Sequence, residues 1–233
     1  MKKVGIIIFA VALVIGLVVA NIFPFGRVNS RVFNFSFDFG HVKGSGNTAT
    51  EKRDVARFNG VDVSGVFQVE IVAGKDLSVE VEADDNLLPL VKTDVTGGTL
   101  HIGLDRRVKT NNPLKVRISA PDINRLETSG ASNANLSGVK NSELTVDSSG
   151  VSKVTVSGET ARLTVDVSGA STINAETLLA ASGGINASGA SHVNVNVTGE
   201  LRADASGASK ITYTPTPANI VKSLSGASSI SAR

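Results

Sequence analysis

Apolar and polar residues alternate along much of this chain. Every second residue is apolar in Leu144-Thr-Val-Asp147 and in Leu163-Thr-Val-Asp166, as in a strand that buries one of its faces. Similar stretches predict further strands at residues 66–72, 77–81 and 115–119. The pattern therefore predicts an all-β protein.

A tetrapeptide repeat accompanies the strands in the second half of the chain. Ser-Gly-Ala-Ser, once with Val in place of Ala, occurs six times at intervals of 18 to 20 residues, beginning at Ser129, Ser149, Ser168, Ser188, Ser206 and Ser225. The fourth residue after each glycine is apolar, namely Ala134, Val154, Ile173, Val193, Ile211 and Ile230. A fixed period in this range is typical of a solenoid, whose coils bury their apolar faces by stacking.

We predict a right-handed parallel β-helix with coils of about 19 residues. Glycine suits the bends because it tolerates positive φ, and coils stacked in register would place equivalent residues about 4.8 Å apart. Small hydroxyl side chains at one level could then bond to one another along the stack. The structural repeat positions are Gly130, Gly150, Gly169, Gly189, Gly207, Gly226, Ser132, Ser152, Ser171, Ser191, Ser209 and Ser228.

The N-terminus has the features of an export signal. Lys2 and Lys3 precede an uncharged run over residues 4–26, almost purely aliphatic through Ala20. This apolar run is longer than the usual core of a cleaved signal, roughly 7 to 15 residues, and reaches the lower limit of a membrane span, roughly 17 residues. Residues 1–26 are therefore predicted to be a signal peptide or a membrane anchor, with residues 4–20 in the membrane if uncleaved. Either alternative places the rest of the chain outside the cytoplasmic membrane, because the positive end stays inside.

The remainder divides into three predicted regions. Residues 27–53 are a Phe-rich segment and a polar linker, the linker covering residues 40–53. Phenylalanines alternate from Phe33 to Phe39, which fits either an aromatic belt at a membrane surface or an edge strand that plugs the first coil. Residues 54–120 lack the tetrapeptide and are expected to form N-terminal coils and a cap, and residues 121–233 form the regular coils.

Composition and charge exclude several classes of function for this protein. The formal net charge is +2, and outside Lys2 and Lys3 the basic and acidic residues balance at 21 each, which gives no electrostatic basis for binding nucleic acid. The chain has no cysteine, so disulfides, thiolate catalysis and Cys-ligated zinc are excluded. His41, His101 and His192 lie too far apart for metal-ligand spacing. We predict no cofactor and no metal centre.

A polar position lies three residues before each repeat glycine. Stacking would align these residues in one row: Glu127, Asp147, Asp166, Asn186, Asp204 and Ser223. Adjacent carboxylates on a β-helix are used by polysaccharide-cleaving enzymes and can also bind calcium. In this row Asp147 and Asp166 would repel each other by about 4 kcal/mol at an effective dielectric of about 20. Because the carboxylates occupy a repeat position, we interpret the row as a solvated face and predict no catalytic residues.

Four short motifs occur in order along the chain: Phe58-Asn-Gly-Val61, Val63-Ser-Gly-Val-Phe67, Ala83-Asp-Asp-Asn86-Leu-Leu88 and the repeat series that starts at Leu126-Glu-Thr-Ser-Gly-Ala-Ser132. In these motifs the chain resembles the bacterial family called putative auto-transporter adhesin, head GIN domain, over residues 54–230. The resemblance implies an exported β-helical domain of bacterial envelopes. It carries no catalytic residues over to this chain.

These observations predict a non-enzymatic cell-envelope protein that contacts a glycan, peptidoglycan or another protein through its surface. The alternative is a carbohydrate-active enzyme, a polysaccharide lyase or hydrolase, on the same scaffold. Such an enzyme needs a long loop to build a cleft, and intervals of 18 to 20 residues leave no room for one. The binding residues stay unassigned. At the last coil, either serines and Arg233 blunt the open end, or that end docks with a second copy or receives a partner's strand.

Overall fold

The computed structural model describes residues 40–233. The predicted signal peptide or anchor and the alternating phenylalanines lie outside the described residues. Within residues 40–233 no helix is long and apolar enough to cross a membrane. One 3-10 turn, Leu88–Leu90, interrupts the strands, which are β1 (Val42–Lys43), β2 (Thr48–Arg53), β3 (Gly60–Gly65), β4 (Gln68–Ala73), β5 (Ser78–Asp84), β6 (Val91–Thr96), β7 (Thr99–Leu104), β8 (Val108–Lys109), β9 (Lys115–Ala120), β10 (Arg125–Gly130), β11 (Asn133–Ser148), β12 (Lys153–Val167), β13 (Thr172–Ala187), β14 (His192–Ala205), β15 (Lys210–Thr214), β16 (Asn219–Leu224) and β17 (Ser229–Ala232).

Most of the strands stack in parallel as a solenoid of about five coils. Each of β11 to β13 pairs in parallel with the next long strand, so that Val146, Val165, Ile185 and Ala203 form one row. The amide of Ala170 donates to the carbonyl of Gly150 across 2.8 Å, which places consecutive corners one strand spacing apart. The all-β class and the stacked β-solenoid predicted from the repeat are confirmed.

The core lies inside the coils, and its side chains are those that the alternation marks as apolar. Val146, Val165 and Ile185 expose 0 to 1% of their surface, while their strand neighbours face outward. β11, β12 and β13 bend within their length, where the pairing register shifts, for example between Thr155 and Ser157. One continuous strand segment per coil therefore supplies two faces of the solenoid around a single aliphatic core.

The repeat glycines form a column at one corner of the solenoid. From Gly130 to Gly226 all six have positive φ, between 70° and 90°. A Cβ at any of them would lie 2.4 to 2.7 Å from the carbonyl oxygen of the preceding glycine in the column. The column begins one coil earlier than the tetrapeptide, because Gly65 pairs in register with Gly130.

The serine that follows each repeat glycine by two residues turns inward at the same corner, and in the first five repeats it is buried. The hydroxyls of Ser152, Ser209 and Ser228 donate to a backbone carbonyl of the same bend, for example Ser152 to Ser149 (3.2 Å) and Ser209 to Ser206 (2.8 Å). Within residues 40–233, stacked hydroxyls bond to each other elsewhere, between Thr128 and Ser148 (2.9 Å). These three serines thus satisfy carbonyls of the turn, where we had expected bonds from one serine to the next.

The N-terminal end of the solenoid is covered by antiparallel strands. β6 pairs with β7, and β5 pairs with β2 and β9, all antiparallel. Residues 40–53 were predicted to be a linker, and this is wrong, because they contain β1 and β2. The polar sequence of β2 conceals the strand, since an edge strand can be held by backbone hydrogen bonds without apolar side chains. β1 pairs in parallel with β8 to form a separate two-stranded ribbon.

The last coil places a lysine in a core row. Lys222 is in register with the buried Ala203 of the coil below. Its Nζ donates to the Tyr213 hydroxyl (2.9 Å) and to the Ile230 carbonyl (3.3 Å), and lies 4.8 Å from the Tyr213 ring centroid. Leu224 occupies another inward position but is 52% exposed, because no described coil stacks on it. An inward-pointing charge therefore terminates the aliphatic core.

Candidate binding groove

A long groove runs across the coils beside the glycine corner. It has a volume of about 630 Å³ and is lined by two outward positions of each coil, and the buried residues between them, Thr128, Ser148, Val167, Ala187 and Ala205, form its floor. We call it the acid–serine groove. Its first row contains the residues three before each column glycine, and its second row contains the serines one before: Asp62, Glu127, Asp147, Asp166, Asn186, Asp204 and Ser223, with Ser129, Ser149, Ser168, Ser188, Ser206 and Ser225.

Backbone pairing fixes the order of the first row. Glu127 pairs with Asp147, Asp147 with Asp166, Asp166 with Asn186, and Asn186 with Asp204. The sequence predicted this alignment from Glu127 to Ser223, and the register confirms it. Asp62 extends the row by one coil. The same offset from Gly65 would have found Asp62, but the Val63-Ser-Gly-Val-Phe67 motif was not recognised as a corner.

Each carboxylate of the row has a neighbour that reduces its repulsion from the next. Arg125 contacts Glu127 and also Asp147, with 3.5 Å between Nη2 and Oδ2. The Asn186 side-chain amide donates to Asp166 across 2.7 Å.

At the two ends of the row, His101 Nδ1 lies 3.0 Å from Asp62 Oδ2, and Arg202 Nε lies 3.4 Å from Asp204 Oδ2. These partners lie on the same sheet face and were not expected from the sequence. They reduce the repulsion between adjacent acids of the row.

Asp147 lies near the middle of the row, between Glu127 and Asp166. Burial raises the pKa of its carboxyl, Asp166 and Glu127 raise it further by like-charge repulsion, and Arg125 opposes them. Its side chain remains 32% exposed, so water moderates these effects. The arrangement offers hydroxyl donors and carboxylate acceptors at one strand spacing, which suits an elongated polar ligand.

The structural repeat positions predicted from the sequence, the glycines and the corner serines, do not line the groove. The repeat glycines and corner serines form the bend beside it and are absent from its lining. Ser191 is buried with no hydrogen-bond partner for its hydroxyl in the described part of the chain, whereas its neighbour His192 faces outward. Among residues 40–233 no three His, Asp or Glu side chains are arranged to hold a metal ion.

Comparison with known proteins identifies the class of this all-β solenoid. Residues 57–217 match the family described as putative auto-transporter adhesin, head GIN domain. The chain belongs to this family, as its motifs predicted. A comparison with curated proteins finds no significant match.

Several solved structures share the fold. A putative adhesin from Bacteroides fragilis is 22% identical, with a TM-score of 0.68, and covers 82% of this chain and 100% of its own. A putative adhesin from Parabacteroides distasonis is 22% identical (TM-score 0.56, coverage 83% and 100%), and one from Parabacteroides merdae is 20% identical (TM-score 0.54, coverage 83% and 99%). These likenesses show that the β-solenoid fold is shared with these proteins.

Proposed function

We propose that this chain is an exported, non-enzymatic component of the bacterial cell envelope that holds an elongated polar partner in the acid–serine groove. The partner is a glycan strand, including that of peptidoglycan, or an extended protein segment. One observation carries the proposal: stacked coils contribute the same two polar positions to one continuous groove. Repeating surfaces of this kind are what solenoids use to contact extended ligands.

Two finer features belong to this proposal. The coils wind in the right-handed sense that parallel β connections favour. Residues 1–26 direct export and either remain as an anchor or are removed. Protease added to intact spheroplasts should therefore digest the domain, and protection of the domain in those cells would contradict export.

A sedimentation assay with isolated peptidoglycan and with envelope polysaccharide immobilised on beads tests the binding proposal. The Asp166→Asn/Asp204→Asn double variant removes two groove carboxylates while preserving shape. We expect it to co-sediment less than the unmodified full chain. Glu143→Gln/Glu159→Gln is the matched control, because both residues are exposed and absent from the groove lining.

The results distinguish whether the groove binds the partner, which kind of partner it binds and whether the protein cleaves polysaccharide. Equal sedimentation of both double variants and the unmodified chain would remove the groove from the binding site. Failure of the unmodified chain to sediment with any glycan, together with binding to an envelope protein, would select the protein partner. Release of new reducing ends or unsaturated sugars from the polysaccharide would contradict the non-enzymatic proposal and favour the lyase or hydrolase.

A further inference from the structure

A second groove, of opposite character, lies at the N-terminal end of the solenoid. It is bounded by the first corner, at Val66 and Phe67, and by the segment over residues 104–114 that contains β8. Its volume is about 880 Å³, within the roughly 300 to 1,000 Å³ of small-molecule sites. We call it the cationic groove. It shares no lining residue with the acid–serine groove.

The ionisable side chains of the cationic groove are all basic. Arg107, Lys109 and His41 line it, and its lining contains no Asp or Glu. Neither Arg107 nor Lys109 forms an ion pair with any residue of the described chain. Unpaired cations facing a concave surface favour an anionic ligand.

The rest of the lining is substantially apolar. Val66 is 65% exposed, although most large apolar side chains of the described chain are covered. Leu104 and Val108 flank it from the opposite wall and are only partly buried, and Phe67 and Leu114 form a buried floor. Covering Val66 and Val108 with an apolar group would remove this surface from water.

A buried carboxylate holds the wall of the groove in place. Asp84 is 1% exposed and accepts hydrogen bonds from the Thr110 hydroxyl (2.8 Å) and the Asn112 amide (2.5 Å). Thr110 and Asn112 both line the groove, and these bonds hold the pKa of Asp84 below its usual range. The segment that carries Lys109 is therefore fixed before any ligand arrives.

From these features we infer that the cationic groove binds an amphipathic anion of the fatty-acid class. The carboxylate lies at Arg107 and Lys109, and the alkyl chain covers Val66 and Val108. Arginine and lysine supply charge-assisted hydrogen bonds to the head group, and the apolar wall selects for the tail. The inference is independent of the proposed function, because its residues and ligand are different.

The experiment measures binding of octanoate to the full chain in zwitterionic lipid nanodiscs by ligand-observed saturation-transfer NMR. Octanamide, which has the same tail and a neutral head, and acetate, which has the head without a tail, are tested in parallel. Octanoate should bind saturably and at least about tenfold more tightly than either probe. Equal binding of octanoate and octanamide would overturn the inference, and so would equal binding of octanoate and acetate.

Two pairs of variants locate the site. Arg107→Glu/Lys109→Glu should raise the octanoate Kd about tenfold or more, while Lys75→Glu/Lys92→Glu, which makes the same charge change at exposed positions outside the groove, should leave it within about twofold. Arg107→Gln/Lys109→Gln serves if charge reversal unfolds the chain. Unchanged octanoate affinity in a folded Arg107/Lys109 variant would overturn the inference, as would binding of inorganic phosphate or an acidic peptide in place of octanoate.

Discussion

The glycine at each coil corner is constrained by its own backbone and by the neighbouring coil. Gly169 has φ of 75°, and a Cβ there would lie 2.4 Å from the carbonyl oxygen of Gly150. L-residues with side chains rarely adopt this conformation. The carbonyl cannot retreat, because it accepts the amide of Ala170. The corner therefore requires glycine for two independent reasons.

Gly169→Ala should lower the free energy of unfolding by about 2 kcal/mol or more, since the left-handed conformation alone costs roughly 1 to 2 kcal/mol. Gly184→Ala is the matched control. A Cβ at Gly184 has no atom within 4 Å and Gly184 has no positive φ, so that change should be neutral or slightly stabilising. Denaturant titration of both variants measures the difference, and equal losses would contradict the steric explanation.

The corner serines offer a second comparison between equivalent positions. Ser209→Ala removes a hydroxyl that donates to Ser206 and Ala187 carbonyls, and should cost about 0.5 to 1.5 kcal/mol. Ser191→Ala removes a buried hydroxyl without a partner among the described residues, and should cost nothing or stabilise. Thermal melting ranks the two variants, and a larger loss at Ser191 would mean that its hydroxyl has a partner such as water.

At the scale of the strand, the alternation of inward and outward residues decides which substitutions the coil tolerates. Ile173 is fully buried in β13, whereas the preceding Thr172 faces outward. Each coil lies against the next along its whole length. Damage to one inward residue should therefore spread to the neighbouring coils.

Ile173→Asp should unfold neighbouring coils together, because an unpaired charge in an aliphatic core costs several kcal/mol. Val165→Asp should behave in the same way. Thr172→Asp is the control, since its register neighbours are Lys153 and His192. Hydrogen exchange should show lost protection in β12, β13 and β14 for Ile173→Asp only. Loss confined to β13 would contradict the cooperative coupling.

Asp147 and Glu82 should make the stability of the protein depend on pH in opposite directions. The raised pKa of Asp147 means that its ionised form is less favourable in the folded state than in the unfolded state. Its contribution to stability is therefore present below the unfolded pKa, about 3.9, and is lost as pH rises through the folded value. Asp147→Asn should accordingly raise the melting temperature at pH 7, with the gain shrinking toward pH 4.

Glu82 supplies the control of opposite sign. Lys115 and Arg117 donate to its carboxylate and hold its pKa below the usual range, so its contribution is present at pH 7 and is lost as pH falls through the folded value. Glu82→Gln should lower the melting temperature at pH 7, and the loss should shrink on acidification. Melting curves between pH 3 and pH 7 in which both variants shift in the same direction would contradict this assignment.

At the scale of the whole molecule, the two ends of the solenoid are closed by different means. Antiparallel strands cover the N-terminal end. Lys222 closes the core at the last coil, held over Tyr213. An inward-pointing charge is one of the devices that prevents strands at an edge from pairing with another chain. This favours a blunted end over end-to-end docking, the alternatives that the sequence left open.

Lys222→Val should therefore make the full chain associate through its last coil, because an apolar row would then continue to an open edge. Light scattering across a concentration series should show a rising mass for this variant and a constant mass for the unmodified chain. Adding Ile230→Lys should reverse the association. An unchanged mass for Lys222→Val would show that Lys222 does not control the end, and association of the unmodified chain would favour end-to-end docking.

The sequence by itself determined the features that recur with the coil. The inward face, the positive-φ corner and the carboxylate row each follow from a fixed offset relative to a repeat glycine, because stacked coils give equivalent positions the same environment. The same rule places Lys222 in a core row, four residues before Gly226 as Val146 is before Gly150. These features needed only periodicity, and the register confirms them.

The tertiary structure alone decided what lies outside the repeat. The antiparallel pairing of β2, the ribbon of β1 and β8, and the contacts of Asp84 with Thr110 and Asn112 join segments that share no period. Whether a charge is neutralised depends on such neighbours. Arg125 forms ion pairs with Glu127 and Asp147 and so neutralises part of the negative charge of the acid–serine groove. Arg107 and Lys109, by contrast, line a groove that contains no acidic residue. Packing sets the distances between separate segments, and the spacing of residues within one strand does not contain them.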